Sequence, residues 1–286
     1  MTAPLRRDLD HQAPEVDTPL DTLAASAGEP RWQAWLSPLV LIVLLAMWEA
    51  GVDLFKVPSI LLPAPSAVAA ALYQGLCDGS LVRHFGVTLF ETVAGFILGS
   101  AAGLLLGALI GQSRLAERVL YPYVVAFQAV PKVALAPLII IWFGFGLTSK
   151  VIIAATLAFF PVVANTIVGL NACPAEQNEL MAAFMATRSQ AFWKLRLPQA
   201  LPYILVGFDV AAVLAVIGAV VGEFVSAKDG LGYQVMQAGL ALNTPGVFAA
   251  TLLLALMGVA IHRLMRWVRR KVLYWAEESD PIQFNG

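Results

Sequence analysis

The sequence predicts an all-α membrane protein with six transmembrane helices and both termini in the cytoplasm. Three observations carry this. The chain has 286 residues, 59% hydrophobic and only 13% charged, too apolar for a water-soluble domain of this length. Its apolar residues gather into six runs near the bilayer-crossing length of about 20 residues. With the N-terminus inside, the inner loops and tails hold thirteen Lys/Arg and the outer loops four (Lys56, Arg83, Lys150 and Lys228). The short loops between spans hold five against four, so the C-terminal cluster supplies much of the asymmetry.

Taken in order, residues 1–36 are polar and Pro-rich, with six Asp/Glu against three Lys/Arg, and read as a disordered cytoplasmic tail. The apolar run after residue 36 is too long for a signal peptide. Span 1 covers 38–55. Pro58, Pro63 and Pro65 then make an extended surface crossing, followed by a short amphipathic helix over 66–76 with Ser66 as N-cap. Span 2 covers 84–111. Within it Gly95, Gly99, Gly103, Gly107 and Gly111 recur every four residues, a small-residue groove suited to close helix packing. Span 3, over 120–144, contains Pro131 and Pro137. A helix broken at membrane depth needs protein or a water-filled cavity around it, which places span 3 at the centre of the bundle. Span 4 covers 150–170, span 5 covers 203–225 and span 6 covers 247–264. The chain closes on a basic cluster and a tail over 276–286.

Between spans 4 and 5 lies EQNELMAAFMATRSQAFWKLRLPQALP, residues 176–202. It is too polar to cross a membrane, yet it is apolar at helical spacing through Leu180, Ala183 and Phe184 and then Phe192, Leu195 and Leu197. A water-side segment with an apolar stripe calls for a protein partner. Pro174 opens a helix, and Pro198 and Pro202 are expected to prevent one continuous helix into span 5. Two short docking helices result.

The spacing of Glu179, Ala182–Ala183, Phe192 and Leu197–Pro198 resembles the EAA loop of bacterial ABC importer permeases. So do Gly207, Gly222–Glu223–Phe224 and Gly230-Leu-Gly-Tyr233. The stretch from Ala129 to Gly146, with Trp142-Phe143-Gly144, is similar to the nitrate/sulfonate/taurine branch. The resemblance spans about 61–275. It implies that Glu179, Ala182, Ala183, Phe184, Met185, Ala186, Arg188, Phe192, Leu197 and Pro198 couple the permease to an ATPase. It also implies a homodimer in the bacterial plasma membrane, two cytoplasmic ATPase subunits that bind ATP and Mg, an external solute-binding protein, and alternating access. The family usually has Gly where this chain has Met185. Either the turn is remodelled, or it needs no left-handed residue.

Other chemistry is thin. No phosphate-binding loop, nucleophile elbow or catalytic carboxylate pair stands out, so the chain reads as a non-enzyme with no cofactor of its own. The net charge of −1 gives no nucleic-acid signal. Cys77 and Cys173 fall on opposite sides of the membrane, and His11, His84 and His262 lack metal-ligand spacing. Pro131, Lys132, Asn165, Asp209 and Glu223 are candidates for the translocation path, since polar groups within spans are costly. Lys132 either faces an anionic solute or pairs with Asp209 or Glu223. Glu49 and Glu91 lie near an interface, and Asn165 bonds across helices or touches solute. The solute stays open among nitrate, sulfonates, taurine and heteroaromatic vitamin precursors. Two other classes compete: an ion-coupled secondary transporter or channel using Lys132, Asp209 and Glu223 as a relay, and a membrane scaffold without solute.

Overall fold

The computed structural model describes residues 33–274, Ala227 excepted. The tail expected over 276–286, and all but the last four residues of that expected over 1–36, lie outside the described residues. Those four residues are helical, because α1 (Gln33–Leu54) starts earlier than its apolar run. The described residues up to Phe55 form one compact unit and those from Lys56 onward another. Within the first unit, every side chain from Leu39 to Leu45 is exposed. Apolar exposure all round a helix suits lipid.

The second unit begins with α2 (Pro65–Cys77), α3 (Ser80–Gly111) and α4 (Arg114–Ala129). A 3₁₀ turn (Lys132–Leu135) leads to α5 (Ala136–Phe143), and α6 (Leu147–Asn171) follows. The remainder is α7 (Ala175–Ala183), α8 (Arg188–Ala191), α9 (Leu197–Ser226), α10 (Leu231–Leu240) and α11 (Thr244–Val272). The described residues contain no strand. Four helices are long and apolar enough to cross a membrane: Ser80–Gly111, Leu147–Asn171, Arg188–Ser226 and Thr244–Val272. A fifth crossing results if Leu115–Ala129 and Lys132–Phe143, bent by 82°, are one broken span.

Ser66 does not cap α2. Ala64, in extended backbone, is the N-cap, and Pro65 occupies the first turn. A proline there has its φ already set and needs no N–H partner, so it determines where the helix starts.

The core is a three-helix stack with α6 in the middle. The five glycines of α3 are all buried against α6. A Cβ at Gly95 would meet Ala154, at Gly99 the Ala155 backbone, at Gly103 the Phe159 carbonyl, at Gly107 Thr166, and at Gly111 Leu170. On the opposite side Gly207 lies against Asn165, Gly218 against Ala154 and Gly222 against Lys150. Ala154, Ala158, Val162 and Val163 of α6 and Ala211, Ala215 and Ala219 of α9 have no exposed surface. Lipid tails are as apolar as these side chains, so contact between close backbones holds such helices together.

Span 3 is therefore not the centre of the second unit. Tyr123, Phe127, Ile141 and Trp142 are exposed, while Ala136, Ile139 and Ile140 pack with Ile153 and Leu157 of α6. Prolines break a helix but do not let its backbone approach a neighbour; the small residues that do lie on α3, α6 and α9. The break itself follows from local chemistry. Val130 is held extended ahead of Pro131, whose carbonyl accepts the Ala134 N–H at 2.9 Å to start the 3₁₀ turn. α5 and α6 then meet at a corner where Gly144 (φ 80°) and Gly146 (φ 143°) adopt backbone angles that disfavour any side chain.

Candidate functional site

The segment between α6 and α9 is built by capping. Pro174 is the N-cap of α7, and Asn178 Nδ2 donates to the Pro174 carbonyl at 3.1 Å. At the other end, Met185 N–H donates to Ala182 O at 2.9 Å and Ala186 N–H to Met181 O at 3.0 Å. This pair of bonds is a Schellman motif, which requires a left-handed residue between them. Met185 supplies it, at φ 54°. The turn thus keeps its left-handed residue without a glycine, at roughly 1 kcal/mol or more of backbone strain. A capping box follows at once. Thr187 N–H donates to Gln190 Oε1 at 2.8 Å, and Gln190 N–H to Thr187 Oγ1 at 3.3 Å. Such a box stabilises a helix start by about 1 kcal/mol, comparable with the strain it adjoins.

Pro198 and Pro202 do not stop the helix. α8 passes through a π turn, Phe192–Arg196, and runs into α9 without a break. Leu197 N–H donates to Phe192 O, five residues back. The wider turn shifts the acceptors by one residue just before Pro198, where a donor is missing, so the chain absorbs the proline without ending the helix. Gln199 donates to the Gln177 side chain and ties α7 to α9.

This architecture divides the apolar stripe in two. Leu180, Phe184, Met185 and Trp193 are exposed, Phe184 by 76% and Met185 by 91%. Phe192, by contrast, is half-buried and packs with Leu197 onto the chain's own cluster of Leu170, Ala200 and Ile204. Phe192 therefore anchors the loop, and Trp193, whose ring meets it edge-on at 5.4 Å, takes the outward position. Glu179, Ala182, Ala183 and Arg188 are exposed, while Ala186 and Pro198 are half-buried. Beneath the loop is a cavity of ≈ 380 Å³ lined by Glu179, Asn178, Arg196, Gly111 and Leu170, among others.

The path candidates do not converge. Lys132 donates back to Gln128 O of α4 (2.9 Å) and lies 5.0 Å from the Phe160 ring centre, not against Asp209 or Glu223. Its pairing stays local because the break at Pro131 turns it back along α4. Asp209 pairs with His262 at 2.8 Å. Asn165 bonds Pro161 O within α6 at 2.8 Å, not a neighbouring helix, because glycine at 207 brings α9 too close for a bridging amide.

A polar cluster sits at the other end of α6, and within it Glu223 caps a helix start, while the pairing of Lys150 with Glu91 is not expected from sequence. Lys150 and Glu91 form an ion pair with side chains 7% and 0% exposed. Lys150 is thus a buried residue of α6, not a loop charge, and Glu91 is not an interface residue. Glu223, also fully buried, accepts from Thr88 Oγ1 at 2.6 Å and Gly232 N–H at 2.5 Å. Leu231 N–H donates to Thr88 Oγ1 at 2.7 Å, and Gly230 N–H to His84 Nδ1 at 3.0 Å. The start of α10 thereby rests on a carboxylate, which the positive end of a helix favours. Any Cβ at Gly230 or Gly232 would strike that carboxylate. The sequence did hold a signal: Thr88 and Glu91 extend the glycine register of α3 upward by three- and four-residue steps.

Comparison with known proteins fits this arrangement. The family described as binding-protein-dependent transport system inner membrane component matches residues 99–274. The chain is 39% identical to the riboflavin transport system permease protein RibX of Chloroflexus aurantiacus, over 85% of this chain and 91% of that one. It is 34% identical to the formylaminopyrimidine transport permease protein ThiX of Halalkalibacterium halodurans, over 87% and 98%. It is 32% identical to a putative aliphatic sulfonates transport permease protein, SsuC, of Bacillus subtilis, over 92% and 95%. Among solved structures, the inward-facing MetNI methionine ABC transporter shares the fold, with a TM-score of 0.61 at 24% identity over 68% of this chain and 97% of that one. The chain belongs to the family of binding-protein-dependent transport system inner membrane components, the permeases of ABC importers.

Proposed function

We propose that this chain forms, as a homodimer, the translocation path of an ATP-driven importer in the bacterial plasma membrane. α1 and the broken 114–143 segment would be the first and third of six spans, with both termini in the cytoplasm. The observation that carries the reading is the capped helix pair α7–α8 and the turn after it, which hold Leu180, Phe184, Met185 and Trp193 in the open. Exposed apolar side chains on a doubly capped scaffold are what a protein groove takes up. The partner is a cytoplasmic ATPase that supplies ATP and Mg, while an external binding protein delivers solute.

ATP binding closes the ATPase pair and draws the two copies' loops together, and the helices behind them reorient. The ligand works by binding one of two states more tightly, as any such switch requires. The cargo class is a small polar or anionic solute. The vitamin-type heteroaromatic and sulfonate cargoes named for the relatives support it. A charge relay, as an ion-coupled transporter would use, gains nothing here, because Lys132, Asp209 and Glu223 each have separate partners.

The test is transport in vesicles that contain this chain, its ATPase and its binding protein. Uptake abolished by vanadate and indifferent to an uncoupler is expected. Uptake that persists with vanadate and collapses with the uncoupler would overturn the reading.

A further inference from the structure

We infer that Arg196 is a positioning residue that joins the docking loop to the transmembrane core and carries its movement there. The inference rests on the docking role proposed for α7–α8. Arg196 is the last residue of the π turn, immediately before α9. Its Nη2 donates to Gly111 O at 2.8 Å and to Leu170 O at 3.0 Å, and its Nε donates to Leu170 O at 3.3 Å.

Those carbonyls lie at the C-terminal ends of α3 and α6, where the last four have no partner within their own helix. A guanidinium satisfies two such ends at once and places positive charge at the negative poles of both helices. One side chain from the loop therefore grips two membrane helices that are distant in sequence.

Those two helices are the ones that cannot slide past each other. The glycines of α3 from Gly95 to Gly111 are seated on the backbone and side chains of α6 along their shared length, and Gly111 is the last of them. α9 continues directly from Arg196. A push on α7–α8 thus reaches α6 and α9 along the chain, while α3 is joined to the loop by the Arg196 side chain, which also grips α6, and the three helices move as a block. Phe192 and Leu197 pack the apolar side of this joint.

The test uses the complete transporter, with its ATPase and binding protein, in lipid vesicles. Arg196→Gln, which loses the charge and the fork, is expected to retain the ATPase on purification. It is also expected to lower solute imported per ATP hydrolysed by about tenfold, the scale of losing charge-assisted bonds. Arg196→Lys keeps the charge without the fork and should recover part of that ratio. A wild-type ratio in Arg196→Gln overturns the inference, and so does loss of the ATPase from it, which would make Arg196 a determinant of loop shape alone. Should Arg196→Gln fail to elute as a single species, Arg196→Lys decides: an intermediate ratio supports the inference and a wild-type ratio overturns it. Failure of the docking reading shows separately, as Phe184→Ala retaining the ATPase and its transport ratio.

Discussion

Lys150 of α6 and Glu91 of α3 form a buried ion pair next to a second buried carboxylate, Glu223. Breaking such a pair from one side leaves a bare charge among apolar helices. Lys150→Met alone should therefore destabilise the purified chain by about 3–5 kcal/mol. The double change Lys150→Met with Glu91→Leu should recover most of that loss. Thermal unfolding in detergent checks both, and equal losses in the single and double variants would refute the pairing.

Gly99 and Gly86 provide a matched comparison within α3. A Cβ at Gly99 would fall on the Ala155 backbone, whereas one at Gly86 meets nothing within 4 Å. Gly99→Ala should cost about 1–3 kcal/mol through overpacking. Gly86→Ala should be neutral or stabilise by up to about 1 kcal/mol through helix propensity. The same melting measurement separates them.

Met185 holds a left-handed turn that glycine adopts freely. Met185→Gly should relieve roughly 1 kcal/mol of strain. Amide exchange across 181–190 should slow several-fold if the Schellman bonds are as placed, and unchanged exchange would argue against a strained turn. Because the side chain is 91% exposed, its loss removes no internal packing.

Phe184 and Phe192 should behave differently despite their shared apolar character. Phe184→Ala should leave the melting temperature unchanged and weaken ATPase binding by about 2 kcal/mol, near 30-fold. Phe192→Ala should lower the melting temperature first, because its ring packs on Leu170, Ala200 and Ile204. Pull-down of the ATPase alongside a melting curve tells the two apart.

The features readable from sequence are those set within one helix. The four-residue glycine register needs only helical periodicity to be seen, and the structure seats it on α6. The start of α7 at Pro174 and the break at Pro131 follow from the local restraints a proline puts on its own and the preceding residue's backbone. The errors occur where a distant partner decides. Lys150 looks like a loop charge until Glu91, on another helix, is brought beside it. Phe192 looks like Phe184 until the chain folds back and covers it. Pro198 looks like a stop because the local rule counts the lost donor but not the π turn that realigns the acceptors around it. Arg196 gave no signal at all, since its partners are backbone carbonyls, which every sequence contains.

The corner between α5 and α6 is turned by two glycines. Gly144 and Gly146 hold it open, and a Cβ at either would touch nothing within 4 Å. A side chain at either position is opposed by torsion and not by collision, while α5 itself is held by the packing of Ala136, Ile139 and Ile140 on α6. A Cβ at 144 or 146 would therefore cost backbone strain without a clash, and that strain would bear on the angle at which α5 meets the α3–α6–α9 block.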